Sequence, residues 1–241
     1  MIRLPYLFLL VGAFCLSSTW VAAQIEAGNY KFIDANLAIG DSEGSLAFSL
    51  NYDRGVGKRK KIIIGLAGRL TSYFGKNQYY VTAPAALTSG STGPEVLFKE
   101  NIEANMDTFL IKTSQVNCFN LALTLGYNLS ERILLRFNID VIGFSFGQSV
   151  NGNYINGTEG AMESANPSVF NLLLISDNDK GSLNSEFFVR YLLNDKWAIK
   201  GGIQFLFTEF TTDSDVQQFP EPNDRFRNKS LMFSAGVSYK L

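Results

Sequence analysis

Apolar and polar positions alternate along eight stretches between residues 34 and 241. In Asp34–Ile39, Ala35, Leu37 and Ile39 oppose Asp34, Asn36 and Ala38. Leu46, Phe48, Leu50 and Tyr52 then oppose Ala47, Ser49, Asn51 and Asp53, and Ile62, Ile64, Leu66, Leu70 and Phe74 oppose Lys61, Ala67, Arg69 and Thr71. The cleanest stretch sets Phe119, Leu121, Leu123, Leu125 and Tyr127 against Cys118, Asn120, Ala122, Thr124 and Asn128. Four more follow at 133–141, 183–193, 197–208 and 230–241. A period of two is the period of a β-strand, and no stretch carries a helical period. Short polar turns fall at 41–44, 54–60, 130–132 and 194–196, and long irregular segments at 76–115, 148–181 and 211–229. From the basic turn at 54–60 onward, connections alternate short and long. The pattern predicts an all-β, closed antiparallel up-and-down barrel of eight strands, with ten as the alternative count.

Alternation alone permits a soluble barrel or a transmembrane one, and the polar face decides between them. It is mostly Ser, Asn, Ala, Gly and Thr with a few charges. A solvated outer face would be dense in Lys and Glu, whereas small residues suit the cramped interior of an eight-stranded barrel. The apolar face therefore points to lipid. Tyr52, Tyr127, Tyr191, Trp197 and Tyr239 lie on that face, each close to a short turn or to the C-terminus. They form one interfacial girdle.

Composition adds limits. The chain has 241 residues and a net charge of -1, which suggests no nucleic-acid partner. Arg3, an apolar run over 4–16 and Val21-Ala22-Ala23 read as a signal peptide over 1–23, leaving 24–241 as the barrel domain. A membrane anchor is the alternative for that segment. Phe14 before Cys15 argues against a lipid anchor. Cys118 is then the single remaining cysteine, so no intramolecular disulfide forms.

The final stretch places Phe233, Val237, Tyr239 and Leu241 on one face. It resembles the C-terminal assembly signal of bacterial outer-membrane barrels, departing in Leu241, where Phe is commonest. An ordinary half-buried strand is the other reading of these residues alone. Taken whole, the chain resembles a small outer-membrane β-barrel of the OmpA-transmembrane or OmpX-like kind. The resemblance implies a bacterial outer-membrane location, contact with outer-membrane lipid and lipopolysaccharide, and recognition by the barrel-assembly machinery. It also implies a monomer with a surface ligand reached through the long loops. The expected role is non-enzymatic, in envelope structure or surface binding and adhesion. The alternative is a narrow porin-like or OmpW-like transporter of small or hydrophobic solutes.

The inner face carries Asp34, Asp53, Arg69, Arg136, Asp140, Glu186, Arg190, Lys200 and Lys240. Charges taken out of water need partners. The expected network sets Arg136, Arg190 and Lys200 against Asp140, and Arg69 near Glu186. It serves either as a plug or as a gated path, and the plug is favoured because eight strands leave little bore. Ile142, Phe144 and Phe146, with Leu206 and Phe210, fall on the nominally inner face. They line an apolar cup, or a bulge flips the register and turns them to lipid; the flip is the favoured reading. Asp177-Asn178-Asp179 lacks the spacing and closing Glu of a calcium loop. Enzymes on this architecture use a catalytic His, and this chain has none. No catalytic residue, cofactor or metal ligand is therefore expected.

Overall fold

Each alternating stretch becomes a strand, and strands pair edge to edge until no edge is left. The computed structural model describes residues 29–156 and 159–241; the expected signal peptide lies outside them. The strands are β1 (Asn29–Ile39), β2 (Glu43–Val56), β3 (Ile62–Thr82), β4 (Thr108–Asn128), β5 (Ile133–Phe146), β6 (Val150–Asn156), β7 (Glu159–Pro167), β8 (Phe170–Leu172), β9 (Asn184–Leu192), β10 (Trp197–Thr212) and β11 (Arg225–Lys240). Antiparallel pairing runs β1–β2–β3–β4–β5–β9–β10–β11 and returns to β1, a closed ring of eight. Closure satisfies the backbone polar groups that lipid cannot. No helix among the described residues is long and apolar enough to cross a membrane.

Several strands run further than simple alternation predicts. β3 continues to Thr82 and β4 begins at Thr108, so the expected loop over 76–115 shrinks to 83–107. The segment over 148–181 contains β6, β7 and β8, and the one over 211–229 shrinks to 213–224. The reason is a change of face within the strands. Asn77 has a φ of 51°, and beyond it Tyr80 and Thr82 point inward where Tyr73 and Gly75 did before. On β4, Lys112 and Thr113 are both exposed, which shifts the inward set from Ile111 to Ser114. On β5 the register shifts opposite Leu121/Ala122. This bulge turns Ile142, Phe144 and Phe146 outward, whereas Leu206 and Phe210 stay inside and are fully buried.

The extensions build a second closed ring above the first. There β3 pairs with β4, β4 with β6, β6 with β7, β7 with β10, β10 with β11, and β11 with β3. The β1–β2 hairpin stops at its tight turn, and above it Phe226↔Thr82 joins β11 directly to β3. Asn228 Nδ2 donates to Tyr79 O at 3.0 Å across that seam, and Gln78 Nε2 donates to Asp41 O at 3.2 Å. The outer ring is filled by Tyr80, Phe109, Ile111, Tyr154, Phe210 and Phe226. Tyr80 meets Phe210 edge-on at 5.3 Å, and Phe109 lies 5.5 Å from Phe226. Gly152 permits this packing, because a Cβ there would sit 2.4 Å from the Phe109 ring. Tyr154 Oη donates to Asp107 Oδ2 at 2.5 Å, and burial together with that carboxylate pushes its phenol up to about 12.

Candidate functional site: the filled bore and its wall

The main ring holds its charges in layers. At the short-turn end Tyr30, Phe32, Ile63, Leu134, Leu192 and Ala198 form an apolar floor. The charged layer follows, then Ala38, Tyr73, Leu206 and Met232, then the aromatic filling of the outer ring. The charged layer is balanced, with Arg69, Arg136, Arg190 and Lys200 against Asp34, Asp53, Asp140 and Glu186. All eight are buried.

Apart from Lys200 and Glu186, which stand on the adjacent β10 and β9, the partners stand on strands that are not neighbours, and their bonds cross the bore. Arg190 on β9 donates from Nη2 to both oxygens of Asp34 on β1, at 3.0 and 2.7 Å. Lys200 Nζ donates to Glu186 Oε2 at 3.0 Å and lies 3.7 Å from Asp34 Oδ2. Asn36 on β1 reaches Glu186 Oε1 on β9 at 2.7 Å. Arg69 on β3 pairs closely with Asp140 on β5 and lies 3.8 Å from Glu186 Oε2. A continuous chain thus runs from Asp34 through Lys200, Glu186 and Arg69 to Asp140. Arg136 forms a separate pair, Nε to Asp53 Oδ2 at 2.9 Å. Gly126 leaves room for it, because a Cβ there would lie 2.6 Å from Arg136 Cδ. The Arg190 guanidinium sits 3.9 Å above the Phe32 ring, and Lys200 Nζ 3.9 Å from that of Phe188, which offsets part of their desolvation.

Two pairings differ from those expected from the sequence. Asp140 faces Arg69 rather than Arg136, Arg190 or Lys200, because strand stagger lifts it toward the outer end. Arg136 faces Asp53 on the far wall. Lys240 is half-buried at the rim, its Nζ 5.9 Å from the Tyr30 ring centre. The neutral members were missed altogether. Asn120 Nδ2 donates to Asp140 Oδ2 at 2.7 Å, Asn51 Nδ2 to Asp34 Oδ2 at 3.1 Å, and Arg190 Nε to Ser238 Oγ at 2.9 Å. The one available signal was the run of Asn and Ser on the polar face.

A second cluster lies on the outer wall of β10 and β11, beneath segment 173–181. Glu209 accepts from Arg225 Nε at 2.9 Å and from Arg227 Nη2 at 2.8 Å, while Lys229 Nζ donates to Asp177 Oδ1 at 2.6 Å. Asp179 keeps its carboxylate for Leu174 N, at 2.6 Å, and burial pushes its pKa up. Asp177 and Asp179 thus pin a loop to the wall, and no metal-holding group of acidic, His or Cys side chains occurs among the described residues. Arg227 escaped notice because it falls in the segment 211–229 read as a loop, and Glu209 because it lies just past the alternating stretch 197–208.

The outward faces of the ring strands are apolar and uncovered: Leu66 is 60% exposed, Leu125 59% and Phe233 81%. A closed ring with an apolar wall and a polar, paired interior is built for a bilayer. This chain is a small transmembrane β-barrel. Tyr52, Tyr127, Tyr191 and Trp197 project outward at the short-turn end of the barrel, and Trp197 packs edge-on against Tyr239 at 4.9 Å. Phe233, Val237 and Leu241 project outward from the closing strand. In the barrel, Tyr239→Ala with Leu241→Ser is expected to lower folded yield, since both remove apolar contact from β11. Unchanged membrane yield and unchanged heat-modifiable gel mobility would exclude an assembly role for these residues.

No protein-family model matches the barrel's sequence, and no curated relative is found. Among solved structures, Neisserial surface protein A aligns over 89% of this chain and 97% of its own, at 11% identity and a TM-score of 0.38. Ail, the attachment invasion locus protein of Yersinia pestis, covers 89% of this chain and 99% of its own, at 9% identity and 0.37. The outer membrane protease OmpT from Escherichia coli covers 94% and 100%, at 9% and 0.34. These superpositions are loose, and the assignment rests on ring closure and wall chemistry.

Proposed function

We propose that the barrel is a non-enzymatic surface protein that holds a rigid outer ring and its loops outside the cell for binding or adhesion. The supporting observation is the double closure of the bore, by cross-lumen ion pairs in the main ring and by aromatic packing in the outer ring. Side chains so buried and so paired act as struts, and a strutted bore suits a platform better than a path. The outer ring lies at the end away from the start of β1, the end of β11 and the β2–β3, β4–β5 and β9–β10 connections, the end that length asymmetry assigns to the outside. There the 83–107 loop carries Leu97, Phe98 and Ile102 uncovered, with Phe98 89% exposed. Apolar groups left uncovered beyond the lipid mark a contact surface.

Purified barrel in planar bilayers is expected to show no stable conductance. Cells displaying it are expected to lose attachment when Leu97 and Phe98 are changed to Ser. Steady ion-selective openings whose selectivity changes in Arg136→Ala would instead make the barrel a transporter.

A further inference from the structure

The short-turn rim carries its densest run of positive charge where β2 passes into β3. The connection from β2 to β3 carries Lys58, Arg59, Lys60 and Lys61, with Arg54 close by on the end of β2, and all five are exposed. Asp53, the acidic residue next to them, is turned inward onto Arg136. The other two turns at this rim are balanced, with Glu131 beside Arg132 and Asp195 beside Lys196. The β2–β3 connection itself contains no carboxylate to match this concentration of charge.

A groove of about 440 Å³ opens sideways in the wall just above this turn. Its sides are Leu66 on β3, Leu125 on β4 and Ile139 on β5, with Tyr52 of the girdle and Arg54 on β2. At the turn itself, a separate cleft of about 250 Å³ is lined by Arg59, Lys60 and Lys61 with Tyr30 of the floor, Asn128, Ser130 and one carboxylate, Glu131. The groove faces the bilayer, and its walls are the same side chains that contact lipid elsewhere. What fills it therefore comes from the membrane. The charge at its end selects which lipid. Arg54 lines the groove and belongs to the basic set, which joins an apolar slot to an anion-attracting rim.

We propose that this edge of the barrel is a binding site for an anionic glycerophospholipid of the adjacent leaflet. One acyl chain lies along the groove between Leu66 and Leu125, and the phosphate and headgroup rest among Arg54, Lys58 and Arg59. A zwitterionic lipid fits the groove equally well but gains little from the turn, because its own positive group offsets the attraction. An anionic soluble polymer meets the turn but leaves the groove empty. The site is independent of the outer ring, so it stands or falls apart from the surface-binding role.

The test is native mass spectrometry of the folded, purified barrel, titrated with phosphatidylglycerol and with phosphatidylcholine of the same acyl chains. Attraction of Lys and Arg near a charged headgroup supports a preference for phosphatidylglycerol on the order of tenfold. Changing Arg54, Lys58, Arg59 and Lys60 together to Ser should abolish the preference. Leu125→Trp, which fills the groove from the lipid side, should weaken both lipids several-fold. Equal affinity of the wild type for the two lipids overturns the site without any variant having to fold. So does a preference that survives loss of the four charges, or soluble glycerophosphoglycerol binding as tightly as the lipid itself.

Discussion

Arg136→Ala is expected to destabilise the barrel by about 3–5 kcal/mol, the cost of leaving a buried charge without its counter-ion. The charge left behind is Asp53, 1% exposed and held at 2.9 Å by Arg136 Nε. Asp140 keeps Arg69, Asn120 and the Asn184 amide, so it is not the group exposed to risk. The loss should appear as a lowered urea midpoint for unfolding from detergent micelles. Lys200→Met should cost less, because Asp34 retains Arg190 and Glu186 retains Asn36 and Ser234. The double variant Asp53→Asn with Arg136→Met should recover much of the loss, since it removes both charges together. An Arg136→Ala midpoint equal to wild type would mean that water already solvates the pair, and the bore would have to be regarded as open.

Phe226→Ala is expected to cost a similar amount, about 3–5 kcal/mol for a fully buried Phe, with the damage confined to the outer ring. Phe226 touches Phe109 at 5.5 Å and Tyr154 at 6.1 Å, and it stands where β11 joins β3. The eight-stranded ring below is closed by its own ladders and does not depend on this ring's packing. Stability is local where contacts are local. Limited proteolysis should therefore cut the β6–β7 hairpin faster, while the heat-modifiable mobility of the main barrel stays unchanged. Collapse of both together would show that the outer ring and main ring unfold as one unit; no change in cleavage would show that Phe226 does not hold the outer ring.

The eight membrane strands were legible because alternation is written residue by residue. Leu121, Leu123 and Leu125 each announce an outward side chain, and Asn120, Ala122 and Thr124 an inward one. The outward direction of Tyr52 and Tyr127 was legible for the same reason, since each combines a face with a position along a strand. The outer ring was not. Its strands change face at Asn77 and at Lys112–Thr113, and a period-two reading stops where the phase slips. The bulge on β5 was anticipated for Phe144 and Phe146, yet Leu206 and Phe210 were grouped with them although their own strand carries no slip and buries both.

The charged layer divides in the same way. The sequence by itself determined that Arg69, Arg136, Arg190 and Lys200 point inward with carboxylates to meet them, because side-chain direction along a strand is a local property. Which carboxylate each one meets was decided only by the tertiary structure. Arg69 and Asp140 are 71 positions apart, and Arg190 and Asp34 are 156 apart. Their meeting depends on how far each strand slides along its neighbour as the sheet closes. That stagger accumulates around the whole ring, so no single strand contains it. The outer ring depends on it as well: the stagger lifts β3 and β11 past the short β1–β2 hairpin until Thr82 and Phe226 find each other, with the aromatic side chains between them and the opposite wall closing the bore.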